Sequence, residues 1–112
     1  MEYRQISDSY SVSGQITAEE IAAVKAAGFK SIICNRPDAE QPGQPSAATV
    51  RAAAEAAGLA FRHIPVISGQ ITAENVADQA EALDELTGPV FAYCRSGARC
   101  TNLYAMIQQS KG

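Results

Sequence analysis

The chain of 112 residues contains no apolar run close to the roughly 20 residues that a membrane span requires. It has no excess of positive charge either: nine Lys and Arg face twelve Asp and Glu, for a net charge of −3. That balance argues against nucleic acid and membrane surfaces as partners. Cysteine is scarce and odd in number, with three residues and no C-x-x-C pair, so neither a disulfide framework nor a structural zinc site is expected. No sequence pattern calls for a metal or another cofactor. The first residues, Met1-Glu2-Tyr3-Arg4-Gln5, lack the basic and apolar regions of a secretory signal. A cytoplasmic, thiol-reducing setting is the expectation. With one histidine, His63, in the whole chain, any Cys-His catalytic pair would have to use it.

What is present is a regular alternation. Three times a helical stretch stops at a glycine (Gly28, Gly58, Gly88) and an apolar strand follows. Thr17-Ala18-Glu19-Glu20 has the form of a capping box, Ser46 precedes an alanine-rich helix that runs to Ala57, and Thr72 precedes a third helix. The heptapeptide Ser-Gly-Gln-Ile-Thr-Ala-Glu occurs at 13–19 and again at 68–74. The likeness stops at Glu74, so the two copies read as one solution to starting a helix, used twice, and not as a repeat fold. Residues 3–13 alternate around Ser7-Asp8-Ser9 like a short edge hairpin. The whole predicts one α/β domain over 1–112, a small, mainly parallel sheet flanked by helices on both faces. In such sheets ligands bind at the carboxyl ends of the strands. That rule brings together the loops after Cys34, after Val66 and after Tyr93.

The chemistry concentrates in the last of these loops, Cys94-Arg95-Ser96-Gly97-Ala98-Arg99-Cys100. A strand, Pro89 to Tyr93, leads into it, and a helical pattern with Leu103, Met106 and Ile107 leads out. A strand, a small-residue loop and a helix start together make an anion cradle, where loop amides and the helix dipole favour negative charge. Cys94 at its mouth is therefore the candidate nucleophile, with its thiol more acidic than a free one. Gly97 tolerates positive φ and leaves room for an oxyanion, with Ser96, Ala98 and Cys100 lining the same seat. Arg99 offers a planar, two-pronged donor, and Arg95 and Arg36 add positive charge. Asp38, in the loop after Arg36, is the candidate general acid; Glu40, beside it, is open to the same role or to a solvated one. His63 and Cys34 read as structural, and Cys100 as either packed beneath the loop or a second, resolving thiol.

These residues also resemble a known group. Ser13-Gly14-Gln15, Gly28 to Asp38 with Cys34-Asn35-Arg36-Pro37-Asp38 at its end, His63-Ile64-Pro65-Val66 and Cys94 to Arg99 look like a bacterial family. Its members are phosphatase-like or sulfur-transferase domains, found alone or fused to metallo-β-lactamase-like proteins. The resemblance implies a dual-specificity-phosphatase-like fold with the Cys94 loop as its active site. Cysteine phosphatases place arginine six residues after the cysteine; here Cys100 holds that position and Arg99 comes one residue early, a spacing closer to single-domain rhodaneses. The loop after His63-Ile64-Pro65, where similar phosphatases carry an acid, holds Val66-Ile67-Ser68-Gly69-Gln70 and no carboxylate. Phosphomonoester cleavage gains about 10²–10⁴-fold from a proton donor, whereas sulfite or a thiolate leaves unaided. On that ground sulfane-sulfur transfer through a Cys94 persulfide is the leading expectation, from a thiosulfate or persulfide donor and beside a persulfide-oxidising partner protein. Phosphomonoester hydrolysis through a Cys94 phosphocysteine, and a non-catalytic oxyanion-binding module, are the alternatives.

Overall fold

A computed structural model describes residues Met1 to Lys111. Five strands form one sheet: β1 (Arg4–Ser7), β2 (Tyr10–Ser13), β3 (Ser31–Cys34), β4 (Ala60–His63) and β5 (Val90–Tyr93). Their spatial order is β1-β2-β5-β3-β4. Only the β1–β2 hairpin is antiparallel; the other neighbours run parallel. The strand that ends at the nucleophile is therefore the central one. Its neighbours are held in matched register, Ser13 and Cys34 both pairing with Tyr93. Three strand ends thus stop at one level, which is what brings their following loops together. The expected edge hairpin is present, but only β1 lies on the edge, because β2 inserts beside β5.

Alternation along the strands divides the core. Phe91 and Tyr93 of β5 point with Ile32 and Cys34 of β3 to the face covered by α1 (Ile21–Ala26) and α2 (Ala47–Ala56). Ala92 and Cys94 point with Ile33 to the face covered by α3 (Ala73–Glu85) and α4 (Ala98–Lys111). Phe91, Ile32 and Ile33 have no exposed surface, and each such side chain stabilises the fold by about 1.5–3 kcal/mol. The sheet is thus buried on both faces, as its apolar strands require.

The helix starts follow local chemistry. The Glu20 carboxylate accepts the Thr17 amide at 3.0 Å, ahead of a single 3₁₀ turn that leads into α1. The Ser46 hydroxyl accepts the Thr49 amide at 3.2 Å. Thr72 and Asn75 exchange bonds of 3.0 and 2.9 Å in a full capping box. The twice-used heptapeptide thus carries, both times at its fifth position, a threonine that opens a helical segment. No helix among the described residues is long and apolar enough to cross a membrane.

Candidate active site

Cys94 follows β5 directly, and its amide is tied to Ser13 O at 3.2 Å. Gly97, at φ +93°, turns the loop back so that its N–H donates to Cys94 Sγ at 3.1 Å. A side chain there would be strained in that left-handed region, which explains the glycine. The turn is braced from behind by the loop after β2. Gln15 N donates to Arg95 O at 3.3 Å, and a Cβ on Gly14 would sit 2.9 Å from that same carbonyl. Any residue larger than glycine at 14 would push the Cys94 loop. The Ser96 hydroxyl accepts the Ala98 amide at 3.3 Å and so opens α4.

The thiol of Cys100, then the amides of Cys100, Ser96 and Gly97, hold the Cys94 thiol down at about 5 against the cost of burial. Burial and the neighbouring Cys94 push Cys100 the opposite way, well above the usual thiol range. One of the two is a thiolate at neutral pH, and it is Cys94. Alkylation by iodoacetamide, followed on the Cys94 peptide by mass spectrometry, should therefore reach its full rate by about pH 6 and halve near pH 5, whereas Cys34 and Cys100 stay unmodified. A midpoint near the ordinary thiol value would contradict this loop geometry. Cys94 has no exposed surface, whereas Arg95, Ser96 and Ala98 of the same loop are exposed.

Arg99, itself buried, projects from the first turn of α4 into a clamp. Nη1 donates to Glu40 Oε2 at 2.8 Å and to Val66 O at 2.8 Å, and Nη2 donates to Glu40 Oε1 at 2.9 Å. Glu40 also accepts Arg36 Nε at 2.8 Å. Arg36 completes its own set on Gln15 Oε1 at 3.0 Å and Gln41 Oε1 at 3.1 Å. Arg99, then Arg36, hold the Glu40 carboxyl at about 2, well below the usual carboxylate range. Ala39 stands at φ +61°, a conformation an alanine adopts only when its surroundings enforce it. That turn presents Glu40 to both guanidinium groups. Arg99 retains Nε–H and one Nη2 hydrogen on a shared edge, with no protein acceptor among the described residues, which leaves a two-pronged donor for an oxyanion. Arg36, Glu40, Arg95 and Arg99 line one cleft of about 280 Å³ with Gln41 and Ser68.

The structure places Arg36 in one cleft with Arg95 and Arg99 of the Cys94 loop, joined to Arg99 through Glu40. Asp38 is employed elsewhere: its Oδ1 accepts the Ala47 amide at 2.8 Å and so helps to start α2. The general-acid role expected of Asp38 gains no support from this placement, and the carboxylate that reaches the loop is Glu40. Cys100 is buried, the third residue of α4, packed beneath the loop. Cys34 is core and donates to Arg36 O at 3.4 Å. His63 ends β4, at the carboxyl edge rather than inside the strand, and its Nε2 lies 2.9 Å from Arg36 O. It fastens the Arg36 loop and makes no pair with Cys94. Gly14 and Gln15 were legible as members of a repeated heptapeptide and of the family resemblance, but nothing in the sequence marked them as braces of the loop.

Residues 2–111 match the family described as the phosphatase-like domain of β-lactamase hydrolase-like proteins. The chain belongs to this family. A β-lactamase hydrolase-like protein of Agrobacterium fabrum is 38% identical over 108 residues, covering 96% of this chain and 25% of that protein. One from Xylella fastidiosa is 36% identical over all 112 residues, 26% of its length. The chain therefore spans about a quarter of these curated relatives. Among solved structures, a "putative phosphatase" of Neisseria meningitidis is 33% identical with a TM-score of 0.89, over 97% of this chain and 78% of that one. The core catalytic domain of a PP-IP phosphatase from S. cerevisiae shares the fold at 15% identity, with a TM-score of 0.73 over 96% of this chain and 64% of that one. The fold is thus cysteine-phosphatase-like, as the resemblance implied. The rhodanese-like expectation drawn from the early arginine has no counterpart among these relatives.

Proposed function

We propose that this domain hydrolyses phosphate esters or anhydrides through a Cys94 phosphocysteine, and that it acts on those whose leaving group departs as an anion. The observation that carries the reading is the Cys94 thiolate held by loop amides, with Arg99 close enough to feel its charge and keeping one donor edge free of protein acceptors. The family and the structural relatives, phosphatase-like throughout, support it over sulfur transfer. In the first step the Cys94 sulfur attacks phosphorus in line, the P–S bond forms, and the P–O bond to the leaving group breaks with its electron pair on oxygen. In the second step water attacks phosphorus, the P–S pair returns to sulfur, and orthophosphate carries away the proton. Loop amides and Arg99 hold the equatorial oxygens in both steps.

The leaving-group restriction follows from the carboxylates. Glu40 is ionised by its two arginines and has no proton to give at neutral pH. Asp38 is bound to the Ala47 amide. An alkoxide without a proton donor is penalised by about 10²–10⁴-fold; a phenolate, carboxylate or phosphate is not. Turnover of an aryl phosphate should thus exceed that of an alkyl phosphate by at least about 10²-fold, and Asp38→Asn should leave the aryl rate within about threefold of wild type. Loss of aryl turnover in Asp38→Asn would restore that residue as the acid and overturn the restriction.

A second reading, sulfane-sulfur transfer, keeps one specific observation in its favour: Arg99 lies five residues after Cys94, and a thiol, Cys100, fills the sixth position. Incubation with thiosulfate and cyanide separates the two. A Cys94 persulfide with release of thiocyanate, together with inertness to aryl phosphate, would replace the phosphatase reading.

A further inference from the structure

The α3 helix buries just two residues, Ala82 and Gln79. Gln79 has no exposed surface and plays no part in the chemistry above. A buried primary amide is costly unless its donors and acceptor are bonded, and here they are. Its Oε1 accepts Asn35 Nδ2 at 2.8 Å; its Nε2 donates to Asn35 Oδ1 at 3.1 Å and to Tyr10 Oη at 3.3 Å. Asn35 is buried as completely. We propose that Gln79, Asn35 and Tyr10 are positioning residues for the nucleophile, a buried relay that holds the two halves of the Cys94 loop in register. The proposal rests on Cys94 as the nucleophile and is the same for phosphoryl and sulfur chemistry.

Two arms leave the amide pair and end at the site. On one arm, Asn35 ties together the three strand ends. Its amide donates to Tyr93 O at 2.8 Å, its Nδ2 to Ile64 O at 3.0 Å, and its carbonyl accepts Val66 N at 3.0 Å. Val66 O in turn accepts Arg99 Nη1 at 2.8 Å. On the other arm, Tyr10 Oη donates to Cys100 O at 2.9 Å. That bond fixes the start of α4, whose Cys100 amide and thiol face Cys94. The relay therefore contacts neither substrate nor sulfur, yet it sets where Arg99 and the Cys100 amide stand relative to Cys94. A purely apolar Gln79 site would pack α3 equally well and leave both arms loose.

The test reads the nucleophile without a substrate, so it stays informative whatever reaction the domain catalyses. The ionisable groups around Cys94 are Cys100 and Arg99 of α4, Tyr10 of β2 and Cys34 of β3. Burial holds the two thiols and the phenol neutral, so Cys94 alone titrates between pH 4 and about 8. Gln79→Met keeps volume and removes the amide; Tyr10→Phe removes one hydroxyl and keeps the ring stacked on Tyr104, at 4.4 Å between centroids. Both should raise the pH midpoint of Cys94 alkylation by about half a unit to one unit. Aryl phosphate kcat should fall about tenfold, with KM changed less than threefold. Val50→Ala, a core truncation under α2 on the opposite face, serves as control: it should lower Tm and leave the midpoint unmoved. A wild-type midpoint in a folded Tyr10→Phe variant, whatever Gln79→Met does to folding, would overturn the relay.

Discussion

Cys94→Ser is expected to fold with an intact sheet and to lose turnover by at least about 10³-fold. The reasoning is electrostatic. The loop offers Sγ the Gly97 N–H at 3.1 Å and holds the thiol at about 5, so nearly every molecule carries a nucleophile at neutral pH. A serine hydroxyl in the same seat does not ionise there, and no base stands beside it: Glu40 is bound by two guanidinium groups and His63 faces Arg36 O. The variant should still bind orthophosphate or an unreactive aryl phosphonate, because the amides and Arg99 remain; calorimetric titration checks this. Wild-type turnover in Cys94→Ser would mean that the loop is not the active site. Loss of both binding and turnover would mean that the thiolate had been holding the loop in shape.

Arg99→Lys should lower kcat/KM by about 10²–10³-fold. An ammonium cannot satisfy Glu40 Oε1, Glu40 Oε2 and Val66 O while also presenting a flat donor edge to an oxyanion. Arg99→Ala should cost stability as well, roughly 1–3 kcal/mol, because it strands the buried Val66 carbonyl and takes one partner from the more exposed Glu40 carboxylate. The pH dependence has a definite sign. The Glu40 carboxyl is depressed from its ordinary 4.5 to about 2, so its contribution is full above about pH 4.5 and is lost as pH falls towards 2. Arg99→Ala should remove much of that acid sensitivity in urea titrations run between pH 2 and 5. If Arg99→Lys keeps wild-type kcat/KM, the guanidinium serves the fold alone and the anion is bound by amides.

The loop was readable because its chemistry is local. Strand, cysteine, glycine and helix start are consecutive, and backbone geometry alone turns that order into a ring of amides around one sulfur. The same locality made the caps at Ser46 and Thr72 and the glycine stops legible. Asp38 was less readable for the complementary reason. A carboxylate in a loop near the active edge has the right composition for an acid, but whether it meets the leaving group or the Ala47 amide depends on where α2 begins, across the loop. Glu40, two residues on, reaches Arg99 because Ala39 turns left-handed, and an alanine carries no sign of that.

By itself, then, the order of residues determined the alternating α/β chain, its one family, and a cysteine made acidic by its own loop. These rest on periodicity, capping and contacts within a few residues. Only the tertiary structure decided what the charged and amide side chains do. Which carboxylate neutralises Arg99, why no acid faces the thiolate, and how Gln79 on a solvated helix reaches Cys94 through Asn35 and Tyr10 are matters of approach between segments as many as 90 residues apart. Hydrogen bonds and ion pairs depend on distances of a few tenths of an ångström, and those distances are set by how two helical layers close on the sheet.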